Sequence, residues 1–97
     1  MNQQEQQAAY IKIARDTQWV PVVDVKVFDT TQTSIVRVFQ HSSGTKAVYA
    51  ASSTDGKTSK VALGVVLHSV PESITALAAE AGVVAAARDQ AIEKLAA

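Results

Sequence analysis

Gly56-Lys57-Thr58 has the ending of a phosphate-binding loop, in which backbone amides cradle phosphates and the lysine reaches the terminal ones. The surroundings do not fit. Such a loop carries a glycine five residues before Gly56, where Ala51 stands, and it opens into a helix, whereas Val61 to Leu67 is rich in strand formers. Asp55 would also face the phosphates, so the segment reads as a β-turn with a solvated lysine. His41 and His68 are the only histidines, and neither has further ligands at metal-binding spacing. The chain has no cysteine, which removes thiolate zinc sites, a disulfide framework and a cysteine nucleophile together. A Ser-His-Asp triad assembles only in space, but there is no Gly-x-Ser-x-Gly elbow and no paired carboxylate pattern. Asp24 and Lys26 alternate onto one strand face, a surface charge pair worth at most about 1 kcal/mol. No catalytic role, cofactor or metal is expected from these residues. An enzyme whose site is completed across an oligomer interface is the remaining catalytic alternative.

Charge carries a local hint that the total hides. Nine basic residues balance nine acidic ones, so no net field steers the chain toward nucleic acid or an anionic membrane. Between Thr31 and Pro71, however, Arg37, Lys46, Lys57 and Lys60 face Asp55 alone. With Phe39 and Tyr49 on adjacent strands, these cations have the ingredients of a single-stranded nucleic-acid platform, cations for phosphates and aromatic faces for bases. The simpler reading makes Phe39 and Tyr49 core residues and the lysines a solvated rim. Trp19 is the lone tryptophan and serves either as an interface anchor or as a plug between a helix and the sheet.

The elements that must position these residues follow from hydrophobic period and turn chemistry. Asn2, with Glu5 three residues on, predicts a capped helix running to Asp16, with Ala9, Tyr10, Ile13 and Ala14 on one face and a Gln-rich start that frays. Pro21 heads a strand in which Val23, Val25 and Val27 alternate with Asp24, Lys26 and Phe28, as suits a sheet edge. The second strand, Ser34 to Gln40, is apolar on both faces, Ile35 and Phe39 on one and Val36 and Val38 on the other. Thr45 to Ser52 forms a third strand, Asp55-Gly56 a hairpin turn, and Ser59 to Leu67 a fourth strand. Short turns between successive strands make this an antiparallel meander. Ser69-Val70-Pro71-Glu72 predicts a capping box opening an Ala-rich helix that is kinked or broken near Gly82.

The fold class is thus α+β: an N-terminal helix, four antiparallel strands and a C-terminal helix, with the helices on one face of the sheet. In layout, the stretch from Val20 to Leu95 resembles the fold of single-stranded-DNA-binding transcriptional coactivators. The resemblance implies single-stranded nucleic acid as a partner and transfers no residue roles, and the first helix departs from the family's pattern.

Twelve of the fourteen valines fall between Val20 and Val70 and ten of the seventeen alanines from Ala76 onward, which separates strand-forming from helix-forming sequence. With 97 residues, 47% of them hydrophobic and 19% charged, residues 1–97 make one folded domain, too short to hold a second core. No apolar run reaches the roughly 18 to 20 residues of a membrane span, and the N-terminus lacks the features of a secretory leader, so a cytoplasmic protein with no membrane partner is expected. Covering one sheet face would leave the other open. Val36 and Val38, with Trp19, are therefore the candidate interface, and the first functional expectation is a non-enzymatic protein-binding domain. It would self-associate, most simply as a homodimer through the sheet face or the Ala-rich final helix, and act on another protein as an accessory or inhibitor.

Overall fold

The structure is a computed structural model describing residues 2–29, 31–54, 57–66 and 69–96. Helix α1 spans Gln3–Arg15 and opens as the sequence predicts, with Asn2 Oδ1 accepting the Glu5 amide at 2.8 Å. Glu5 in the first turn and Lys12 and Arg15 in the last complement the helix dipole. Four strands follow, β1 Trp19–Phe28, β2 Thr33–His41, β3 Lys46–Thr54 and β4 Lys57–Val66, paired antiparallel in the order β1-β2-β3-β4. Residues 55 and 56, where the Asp-Gly turn is expected, lie outside the described residues, as does His68.

Two helices close the chain, α2 Val70–Ala81 and α3 Ala85–Ala96. Gly82 separates them at φ +69°, a left-handed conformation that lacks the Cβ clash of other residues. Its amide bonds to the Ala78 and Ala79 carbonyls, and the Val83 amide reaches back to Ala78 at 2.9 Å, the pattern that terminates helices at glycine. The sheet then satisfies what the break leaves open. Ser52 Oγ donates to the Ala81 carbonyl at 2.6 Å, Gln32 Nε2 donates to the Gly82 carbonyl at 2.7 Å, and the Val84 amide donates to Ser34 Oγ at 3.2 Å. Ser34 and Ser52 are the buried polar residues among those described, and both serve this junction. At the start of α2 the expected capping box does not form. Ser69 is left-handed, its side chain makes no cap, and its carbonyl instead accepts the Ser73 amide and hydroxyl.

The expectation that the helices share one face is corrected by the packing. Val23, Val25, Val36, Val38 and Val48 pack against Ile74 of α2 and Ala87 and Ala91 of α3. Tyr49, Ala51, Val61 and Leu63 look the other way, onto Ala9, Tyr10 and Ile13 of α1. The reason lies in the central strands: β2 and β3 are apolar on both faces, and a face left open would keep that surface in water. The sheet is therefore the middle of three layers. Val36 and Val38, nominated as an interface, are fully buried beneath the C-terminal helices.

At Gly82 an added Cβ would meet only Ser52 Oγ at 3.6 Å and Lys60 Cδ at 3.9 Å, ordinary contacts. Gly82→Ala is thus expected to destabilise the fold by about 1–2 kcal/mol through backbone strain alone, measured as a lower urea midpoint with unchanged slope.

Candidate interaction surface

The residues suggested for nucleic-acid binding fall into two groups that the fold keeps apart. Arg37, Phe39 and Tyr49 lie on the α1 face, where Tyr10 stacks on Tyr49 with ring centroids 3.6 Å apart and planes 12° from parallel. Tyr10 also sits tilted against Phe39 at 6.0 Å. Tyr49 donates its hydroxyl hydrogen to Gln7 Oε1, and Arg37 binds Asp24 through Nε at 3.0 Å and the Tyr10 hydroxyl through Nη1. Phe39 and Tyr49 are buried, so α1 occupies the ring faces a base would need. Lys46 and Lys60 alternate onto the opposite face, paired across the ladders with Gln40 and Ser52. Lys46 opens β3 while Lys57 pairs with Thr54 at its close, a separation of roughly 26 Å along the strand. No common surface joins the four cations.

The two sheet edges differ in a way the sequence did not show. In antiparallel pairing, alternate residues turn their backbone groups outward, and an outer strand is left with a row of unpaired amides and carbonyls. On β4, Gln3 covers part of this row. Its side-chain amide takes the Val61 N–H at 2.6 Å and gives a hydrogen bond to the Val61 carbonyl at 2.8 Å, while Gln6 Oε1 accepts the Leu63 amide at 2.9 Å. The Gln-rich start expected to fray is instead docked, its side-chain amides standing in for a neighbouring strand. Among the described residues no helix plays that part on β1. Val20, Val22 and Phe28 are 54%, 48% and 73% exposed, which gathers on this strand three of the five exposed large apolar residues among those described. A bulge between Pro21 and Val23 interrupts pairing near its start.

An open cleft of about 500 Å³ lies at the head of β1, lined by Thr17, Gln18, Val20, Val22, Gln40, His41 and Ser42. His41 Nδ1 is 2.8 Å from Ser43 Oγ and accepts the Ser43 amide at 3.1 Å, and its Nε2 meets Gln18 Oε1 at 3.0 Å. Half-buried Trp19 packs beside the His41 ring at 4.8 Å. Sequence reasoning missed this serine-histidine contact because it forms within a turn. An amide rather than a carboxylate orients the ring, and the Ser43 N–H that could stabilise an oxyanion is already donated to His41, so the arrangement builds a turn rather than a nucleophile. Among the described residues no three His, Cys, Asp or Glu side chains gather as a metal site, and no helix is long and apolar enough to cross a membrane.

Comparison with protein-family models, curated proteins and solved structures finds no match to this chain.

Two expectations follow from this geometry. Gln3→Ala exposes the Val61 amide and carbonyl, and faster hydrogen exchange at Val61, with Leu63 less affected, is the expected outcome by NMR. Burial pushes the Tyr49 phenol up to about 12, with Tyr10 adding to the shift and Arg37 and Gln7 opposing it. The unfolded phenol ionises near pH 10 and so loses its proton first. Stability present below pH 10 therefore falls as pH rises toward 12, and Tyr49→Phe should flatten that decline in urea titrations across the range.

Proposed function

We propose that this chain is a small protein-binding domain that self-associates and acts as an accessory or inhibitory partner of another protein, with no chemistry of its own. The observation that carries the reading is the contrast between the sheet edges: β4 is covered by glutamine amides of α1, while β1 ends the sheet uncovered and bears Val20, Val22 and Phe28 in water. An uncovered edge with apolar side chains is a template for adding another strand. The reading moves the interface from Val36 and Val38 to β1. Trp19, half-buried against His41, stands at the head of the same strand. The nucleic-acid alternative has less support, since its aromatic residues are covered and its cations are divided between faces. A reducing compartment such as the cytoplasm suits a chain without cysteine.

Sedimentation equilibrium tests the self-association. A dimer of about twice the 10.2 kDa chain mass is expected at micromolar concentration. A monomer mass persisting to about 1 mM would overturn the reading.

A further inference from the structure

The hydrogen-bond phase of the sheet fixes which backbone groups of β1 face outward. The Asp29 amide donates to the Gln32 carbonyl at 2.7 Å, one step beyond the Phe28 and Thr33 pair, so residues 29 and 32 form a hydrogen-bonded pair. Bonded and non-bonded pairs then alternate along the ladder. Val27, Val25 and Val23 turn their amides and carbonyls to β2, and Phe28, Lys26 and Asp24 turn theirs away from the sheet. The same alternation carried through β2 and β3 places Val61 and Leu63 outward on β4, where Gln3 and Gln6 bind them.

From this phase we infer that two copies of the chain join antiparallel through β1, centred on Val25, into one continuous eight-stranded sheet. The inference rests on the self-associating reading above. Val23-Asp24-Val25-Lys26-Val27 reads alike from both ends with its charges exchanged. Centred on Val25, pairing sets Asp24 of each copy opposite Lys26 of the other, and both residues belong to the outward row that can bond. Val25 meets its own copy and Val23 meets Val27, while exposed Val22, in the bulge, lies next to exposed Phe28 of the other copy where the pairing ends. Moving the centre one residue either way faces Asp24 with Asp24 or Lys26 with Lys26, and like charges directly opposite destabilise a ladder. One register alone sets unlike charges opposite each other.

The surrounding layers accommodate this arrangement. Lys26 and Asp24 are exposed, and their face of β1 lies beside α1 rather than under it. On the other face α2 packs over β3 and β4 and α3 over β1 and β2. A helix about 10 Å wide spans two strands spaced about 4.8 Å, so doubling the sheet sets the two α3 helices side by side at ordinary packing distance. The bulge between Pro21 and Val23 bounds the pairing at its N-terminal end.

The test compares dimer dissociation constants, by sedimentation at low salt, for the unaltered chain, Lys26→Glu and the double variant Asp24→Lys with Lys26→Glu. Lys26→Glu replaces two attractive pairs per dimer by two repulsive ones and should weaken association at least about tenfold. The double variant restores opposite charges and should recover most of the loss. The double variant also removes the Asp24 to Arg37 ion pair, so hydrogen exchange on the unaltered chain provides a second reading. The Asp24 and Lys26 amides should be protected at high concentration and exchange rapidly on dilution, while those of Val23 and Val25 stay protected throughout. A dimer that Lys26→Glu leaves unchanged, or exchange at Asp24 and Lys26 independent of concentration in a dimeric sample, would overturn pairing through β1 and leave self-association standing. A chain monomeric at every concentration would overturn both.

Discussion

The structure depends on one constraint: the middle strands of the sheet are apolar on both faces. From Ala47 to Ser52 every residue of β3 is buried, and β2 buries Val36 and Val38 on one side and Phe39 on the other. An antiparallel sheet of this kind cannot present one face to water, and a cover is required on each side. The chain supplies them from its two ends. Helix α1 takes the face of Tyr49 and Leu63, and the paired helices α2 and α3 take the face of Val38 and Val48. Helix α1 packs on Tyr49 and Ala51 of β3 and on Val61 and Leu63 of β4, and the Asp24 and Lys26 side of β1 stays in solvent.

The second cover works by close approach. Ala78, Ala81, Ala87 and Ala91 present almost no side chain to the sheet, and the helices can lie near strands that are themselves built from valine and alanine. Close approach leaves little room for water to solvate backbone groups at the helix break. Serine solves this within the same volume: Ser34 and Ser52 are nearly as small as alanine and supply the hydroxyls that the Val84 amide and the Ala81 carbonyl need. Among the described residues no buried side-chain polar atom lacks a partner.

Local features were legible in the sequence where the physics is local. Asn2 with Glu5, the alternating valines of β1, the order of the four strands and an interruption at Gly82 are short-range signals, and each appears in the structure, although the single kinked helix expected there is two helices. Ser69 carried a similar signal and failed, because its backbone turned left-handed and left the hydroxyl without a cap to make. The face chosen by α1 was not legible. Ala9, Tyr10 and Ile13 mark a helix that will bury one side, but nothing in their spacing says against which side of the sheet. The glutamines were harder still, because Gln3 finds Val61 across fifty-eight residues of chain and its composition alone suggests only a polar surface. For the candidate surface, the sequence singled out β2 through its doubled apolar pattern. That pattern meant burial from both sides, and the open strand proved to be the mixed one beside it.

The glutamine contacts also set an order of events. The helix that carries Gln3 and Gln6 precedes all four strands in the chain, and the strand they bind is the last of the four to be made. Until Val61 and Leu63 exist, the floor that Tyr49 of β3 begins for Tyr10 and Ile13 is incomplete, and part of the apolar stripe of α1 stays in water. Contacts of such separation form late, after the hairpins that need only short loops to close. The same strand therefore finishes the sheet and admits the first helix, which ties the opening residues of the chain to the completion of the last ladder.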